Sequence, residues 1–249
     1  MPLDIGSLRV QRPLANLHYF PSVGSTMIEA SRLTRDGAPH GTVVVAEQQT
    51  AGVGRVGRSW TSEPEVGIYC SVILRLPLPQ EQFPIVSLLL GLATVEAIQN
   101  SAGIACDLRW PNDVLVDGCK VAGVLAHMAE NRIIGGIGIN VNNTSFEPNL
   151  RTPATSLRIA AGREVSRESV LLKLLESIDY LCDLLTGNGP TTILQAFAAA
   201  SSYVWDRRVC LEDDDAIGIT AGLDENGFLM VRLDNGTLRR IASGGIRLA

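Results

Sequence analysis

GTVVVAEQQTAGVGRVGRSWTSEPEVGIYCSVILRL, residues 41 to 76, decides between two architectures. Its opening, 41 to 49, is rich in β-branched residues and reads as a strand. Gly52, Gly54 and Gly57 then satisfy G-x-G-x-x-G, the spacing of a dinucleotide-binding loop. Such a loop must open a helix, with an acid about 20 residues further on. Here RSWTSEPEVG, 58 to 67, carries Pro64 and Gly67 and leads into a second β-type run, 67 to 76, and SVILRLPLP contains no acid. The glycines therefore belong to a strand–loop–strand unit. Arg55 and Arg58 beside them point to an anion, because glycine lets backbone N–H groups approach closely and guanidinium supplies forked positive charge. A nucleotide phosphate or an acyl phosphate fits.

Working outward, residues 22 to 37 read as a helix with Ser22 or Ser25 as N-cap, Ile28, Ala30 and Leu33 on its inner side and Gly37 past its end. A long apolar helix is predicted near 84 to 100. In RWPNDVLVDGCKVAGVLAHMAE, 109 to 130, Asp117-Gly118 between two β-type runs predicts a tight hairpin, with Lys120 near the start of its second arm. After a turn at 130 to 132, IIGGIGINVN supplies another strand, whose glycines signal close approach of a backbone or ligand. Helical patterns return at about 166 to 185 and 191 to 202. Beyond about 206 the chain breaks into short strands around Asn226-Gly227 and Asn235-Gly236, the pattern of a small β-barrel. The fold class expected is α+β, with a mostly antiparallel sheet and helices over residues 1–203 and a small barrel over 204–249.

A chain of 249 residues can bury a core of ordinary size. No uncharged apolar run is long enough to cross a bilayer, and MPLDIGSLRV lacks the apolar stretch of a secretion signal, so the expected location is the cytoplasm, away from membranes. The five cysteines have no C-x-x-C spacing and only three histidines could join them, which excludes a zinc or disulfide framework and leaves buried apolar thiols. A net charge of −5 argues against broad nucleic-acid binding. The acidic run Glu212 to Asp215 reads as a solvated turn.

Five segments in order carry a resemblance to the biotin protein ligases. AEQQTAGVGRVGRSW (46–60) resembles their Gly-Arg ligand loop, and GSTM (24–27) falls where they carry Ser-Thr-Asn. RWPND (109–113) is similar to their Lys-Trp-Pro-Asn-Asp motif, CKVAGVL (119–125) to their Lys-hydrophobe-Ala-Gly-Ile-Leu segment, and GIGINVN (136–142) to their Gly-Ile-Asn strand. There are two departures: Val53 stands where the family has the first arginine of Gly-Arg-Gly-Arg, and Met27 replaces the Asn. The resemblance implies a fold like that of biotin and lipoate ligases and class II aminoacyl-tRNA synthetases, with a C-terminal barrel of Src-homology-3 type.

It also implies a reaction, in which the biotin carboxylate attacks the α-phosphate of ATP, pyrophosphate leaves, and a lysine of a biotin carboxyl carrier protein then takes biotin from biotinyl-5′-AMP. By resemblance, Ser25, Thr26 and Gln49 contact biotin at its ureido end, and Met27, Gly52, Val53, Gly54, Arg55 and Lys120 complete the biotin-binding set. Arg55, Arg58, Trp60, Asn112, Lys120 and Asn140 bind ATP, Trp60 packing on the adenine and Asn140 hydrogen-bonding it. Lys120 and Arg55 are the expected catalytic residues, since two anions must meet. Mg²⁺ is expected with ATP, held largely by phosphates, with Asp113 as candidate protein ligand. Trp110 reads as core. Only about 20 residues precede the first motif, which predicts no operator-DNA binding, and a homodimer is possible by analogy with relatives. Two rival readings stand beside this one, a lipoate or octanoate ligase or transferase and a non-catalytic biotin-binding protein.

Overall fold

A computed structural model describes residues 1–12 and 16–249. The Asp4 carboxylate accepts a hydrogen bond from the Ser7 N–H and opens a short helix, α1 (Ile5–Gln11), followed by β1 (Leu17–Phe20). Helix α2 (Thr26–Arg35) begins one residue after Ser25 and is shorter than the 22 to 37 expected. Ala30 and Leu33 face inward as expected, but Ile28 does not and is 61% exposed. Strands β2 (Thr42–Ala46) and β3 (Ile68–Leu74) flank the glycine loop, and no helix follows it, only a single 3-10 turn at Arg55–Gly57.

Helix α3 (Pro84–Ala102) starts on proline, whose missing N–H costs nothing in the first turn, and stops at left-handed Gly103. By length and composition Gln80–Ala102 could cross a membrane. In this fold it is the core helix, with Leu88, Leu89, Leu90 and Ile98 fully buried. Next come β4 (Asp107–Arg109), β5 (Asp113–Val116), β6 (Cys119–Ala129) and β7 (Arg132–Ile139), then α4 (Leu157–Ala161), α5 (Arg167–Asn188) and α6 (Pro190–Ala199). The β5–β6 turn places Asp117 at φ 49° and Gly118 at φ 76°, the two positive φ values that a tight hairpin with the strands' own twist demands. The sequence pattern did not mark α1, β1, β4 or α4, each seven residues or shorter and too brief to show a period.

The seven strands are ordered β1-β2-β3-β7-β6-β5-β4, antiparallel except for the β1–β2 pair. Alternation along β2 sorts the layers. Val43 and Val45 join the large core under α3 and α5, whereas Val44 packs with Ala30 and Leu33 of α2 on the opposite face. The last 45 residues form a second, five-stranded antiparallel sheet of β8 (Trp205–Leu211), β9 (Ile217–Leu223), β10 (Leu229–Leu233), β11 (Leu238–Ile241) and β12 (Ile246–Leu248), ordered β11-β10-β9-β8-β12. It is held to the first sheet in part by Trp110, which is buried as expected of a core residue. Its indole N–H donates to the Gly227 carbonyl at 3.0 Å.

Candidate active site

One cavity of about 550 Å³ opens over β3, β6 and β7, between the start of α2, the glycine loop, the segment 145–154 and the start of β12. Size and lining suit a small molecule of mixed polarity.

Its polar end is built at the start of α2. Ser25 occupies the N-cap position with extended backbone, but its side chain caps nothing, and its Oγ is buried with no partner among the described residues. The Gln49 Oε1 accepts from both the backbone N–H and the hydroxyl of Thr26, at 2.9 and 3.1 Å. Ser71 on β3 donates to Thr26 Oγ1 at 2.8 Å, and Gln49 Nε2 donates to Ser62 at 3.0 Å. These bonds fix the rotamers of Thr26 and Gln49, so both groups are preorganised. Met27 lies along Gly136, where an added Cβ would come 2.7 Å from the Met27 sulfur.

The glycine loop is a small hairpin of its own. Gly54 N–H donates to the Arg58 carbonyl and Trp60 N–H to the Gly52 carbonyl, while Val53 bridges Ser59. At the tip Val56 takes φ 53° and Gly57 φ 71°, positive values that are routine for glycine and rare for a β-branched residue. Gly52 does not line the cavity. It lies beneath, where a Cβ would press on the Trp60 carbonyl and on Gln49 Nε2 at 3.1 Å.

The hairpin lays Trp60 flat on the sheet. Gly123 of β6 and Gly138 of β7 are directly paired, and a Cβ at either would strike the indole, at 3.1 Å from Cζ3 and 2.6 Å from Nε1. The close approach signalled by the glycines of 133–142 is thus one of side chains: the Trp60 indole at Gly138, Met27 at Gly136 and Leu90 at Gly135. Asn112 and Asn140 flank this platform. Asn112 donates to the Val124 carbonyl and accepts from Arg55, and Asn140 donates to the Thr155 carbonyl.

Lys120 stands at the centre. Its side chain runs back over Gly123, whose hydrogen leaves room for it, and its Nζ lies 2.5 Å from Asp113 Oδ1 and 5.5 Å from the Trp60 ring centroid. The other Asp113 oxygen pairs with Arg109 at 2.5 Å, and Arg109 also donates to Thr152. Burial alone would raise the Asp113 carboxyl, but Lys120 and Arg109 outweigh it and hold the group below the usual carboxylate range. Arg55 is pulled below the ordinary guanidinium value by burial, with Asp113 and Glu212 opposing. Both Asp113 oxygens being taken by cations, the carboxylate does not fit the role of ligand to a resident metal. Among the described residues no cluster of three or more His, Cys, Asp and Glu could hold one.

Comparison with known proteins agrees with this geometry. The biotin/lipoate A/B protein ligase family model matches residues 19–143, which is half the chain, and the biotin protein ligase C-terminal domain model matches 207–248. The chain belongs to the biotin/lipoate A/B protein ligase family. It is 35% identical over 243 residues to the bifunctional ligase/repressor BirA of Bacillus subtilis, covering 94% of this chain and 74% of that protein. It is 32% identical to the biotin–[acetyl-CoA-carboxylase] ligase of Mycobacterium tuberculosis, covering 98% and 94%. Among solved structures, the biotin protein ligase from Aquifex aeolicus in complex with biotin and ATP superposes with a TM-score of 0.81 at 31% identity, covering 93% of this chain and 97% of that one. The mixed, mostly antiparallel sheet and the small C-terminal β unit are the fold of these relatives.

In this member of the biotin/lipoate A/B protein ligase family, the segments singled out along the sequence meet in one place: Ser25, Thr26, Met27, Gln49, Val53, Gly54, Arg55, Arg58, Trp60, Asn112, Asp113, Lys120 and Asn140 all line the cavity. Two features were missed. Arg109, quoted within RWPND, shares Asp113 with Lys120, a pairing that strand register alone does not reveal. Glu212 is no solvated turn residue: its side chain is only 13% exposed and pairs with Arg58 and Arg151 at the cavity mouth. Paired glycines at 244 and 245 were the signal that could have found it, since they make room for the carboxylates of Asp213 and Glu212.

Proposed function

We propose that this chain is an ATP-dependent biotin protein ligase. The observation that carries the reading is the position of the Lys120 ammonium, anchored by Asp113 between a preorganised hydrogen-bonding end and an indole platform in one cavity. Ser25, Thr26 and Gln49 receive the ureido ring, Met27 and the sheet floor the apolar part, and Trp60, Asn112 and Asn140 the adenosine. Gly54 and Val53 lie along the carboxylate end, and Gly52 supports the loop from below.

The carboxylate oxygen of biotin attacks the α-phosphorus of ATP, the bond to the bridging oxygen breaks, and pyrophosphate leaves with its electrons. Both reactants are anionic, so the barrier falls mainly through positioning and charge neutralisation, supplied by Lys120 and Arg55. Arg58 orders the loop over the phosphates. A lysine amine of a biotin carboxyl carrier domain then attacks the mixed anhydride carbonyl, and AMP departs. Mg²⁺ bound with ATP would supply further charge neutralisation at the phosphates and would be held by the nucleotide, since Lys120 and Arg109 occupy both Asp113 oxygens. The two-part division at 203/204 and a cytoplasmic location belong to the same reading.

The test is transfer of biotin to a purified carrier domain with ATP and Mg²⁺, wild type against Lys120→Ala, with lipoate and octanoate in parallel. Lysine-specific biotin labelling that collapses in the variant is expected. Labelling by lipoate or octanoate instead would move the chain to the other branch of its family. Biotin binding without any transfer would make it a binding protein.

A further inference from the structure

The cations lining the cavity are organised by two acids. Asp113 serves Arg109 and Lys120 from within the first sheet. Glu212, from the turn between β8 and β9, serves Arg58 of the glycine loop and Arg151, each at 3.3 Å and through different oxygens. Arg55, hydrogen-bonded to Asn112, feels the charge of both acids and of Arg58. Each acid holds two cations, so each group keeps one positive charge, and Arg55 adds another beside them, while Glu63 and Glu147 also line the cavity. The two groups are also tied mechanically. The Lys120 backbone bonds to Pro153 and Thr155, which lays the segment 153–155 alongside the start of β6, and Thr152 accepts from Arg109. Arg151 is thereby delivered next to the Lys120 cluster. Its guanidinium and that of Arg58 are about half exposed, free to take an anion on the side away from Glu212, whereas Glu212 itself is largely covered.

The backbone around Glu212 is fitted to it. Glu212 N–H donates to the Gly245 carbonyl, and a Cβ at Gly245 would sit 3.0 Å from Glu212 Oε2. At Gly244 it would lie 2.6 Å from the Asp213 carboxyl carbon. Two glycines at the entrance to β12 are thus matched to two carboxylates across the sheet.

We propose that Arg151 is a further nucleotide-binding residue, which with Arg58 forms an outer cation pair that receives the pyrophosphate portion of ATP, and that Glu212 is the positioning residue that holds the pair ready. The inference deepens the ligase reading and rests on it for the identity of the nucleotide. Two guanidinium forks suit a diphosphate better than two ammonium groups would. Because the anchor comes from the C-terminal sheet, that sheet contributes to the nucleotide end of the site.

The full chain is tested with inorganic pyrophosphate as probe, by titration calorimetry without biotin, alongside the KM for ATP in biotin-dependent pyrophosphate exchange. In Arg151→Ala, pyrophosphate binding is expected to weaken and the KM for ATP to rise, each about tenfold, with the Kd for biotin unmoved. Arg151→Lys should recover part of both, since charge remains without the fork. In a Glu212→Ala background the effect of Arg151→Ala should shrink to about threefold or less, because an unanchored arginine has less to lose. Unchanged pyrophosphate binding and KM in Arg151→Ala would overturn the assignment, as would an equal loss of biotin affinity. Full additivity with Glu212→Ala would remove the positioning role. If the wild type binds pyrophosphate through Arg151 yet performs no biotin-dependent exchange, the ligase reading fails and the anion site stands.

Discussion

Asp113 and Lys120 face each other across the β5–β6 hairpin, Oδ1 to Nζ 2.5 Å, because the lysine side chain folds back over Gly123, the strand partner of Asp113. The pair fixes the ammonium where the proposed chemistry needs it. Asp113→Asn is expected to slow biotin-dependent pyrophosphate exchange by about a hundredfold, with biotin affinity changed less than threefold. It should destabilise the fold by about 2 kcal/mol, less than a fully buried pair because Lys120 is partly exposed. Rates and calorimetry on the two proteins decide it; a variant with normal exchange rates would show that Lys120 needs no anchor.

The same carboxylate sets an acid limit. Its folded pKa is depressed, so the stabilisation is complete above the unfolded value and is lost as pH falls through the folded one. Denaturant titrations of wild type and Asp113→Asn should differ by a constant amount between about pH 5 and 8, begin to converge near about pH 4 and meet only below the depressed folded pKa. A gap that widened on acidification would contradict the pairing.

Gly138 carries the indole platform. In Gly138→Ala the new methyl would meet Trp60 Nε1 at 2.6 Å and push the ring off the sheet. The KM for ATP should rise by about tenfold or more while the biotin Kd moves far less, and Trp60 fluorescence should shift. Equal effects on both ligands would place the nucleotide elsewhere.

Val53 lines the cavity where the family's first loop arginine belongs, and it is nearly half exposed. Val53→Arg should slow release of biotinyl-5′-AMP about tenfold in the absence of carrier, through a charge-assisted contact to the acyl phosphate. Release at the wild-type rate, measured by trapping free intermediate, would mean that Arg55 alone saturates that anion.

Outside the cavity lining, Glu47 and Arg167 form a pair with side chains 5% and 4% exposed, and Arg167 also donates to the Gly67 carbonyl and, with its other terminal nitrogen, to that of Met1. Arg167→Ala leaves a buried carboxylate uncompensated and should cost about 3–5 kcal/mol of stability, read as a lowered denaturant midpoint. A shift under about 1 kcal/mol would mean that water reaches Glu47.

The sequence by itself determined the strand–loop–strand around the glycines, the Asp117-Gly118 hairpin, the core helix near 84 to 100 and the change to short strands beyond about 206. Each rests on preferences expressed within a few residues: β-branching, positive φ at a turn, a missing proline N–H, alternation of period two. It also carried the order of segments that marks the family, and with it most residues lining the cavity. Only the tertiary structure decided how their charges pair. Asp113 was legible as an acid near Lys120, but that it holds both Lys120 and Arg109 depends on strand register and on a side chain crossing Gly123. Ile28 fits a helical apolar pattern yet faces solvent, because only the packed sheet sets which arc of α2 is covered. Glu212 is 154 residues from Arg58, and nothing local distinguishes it from its solvated neighbours. Local conformation is encoded along the chain, whereas an ion pair between distant segments exists only once two sheets have packed and removed the water that would otherwise screen it.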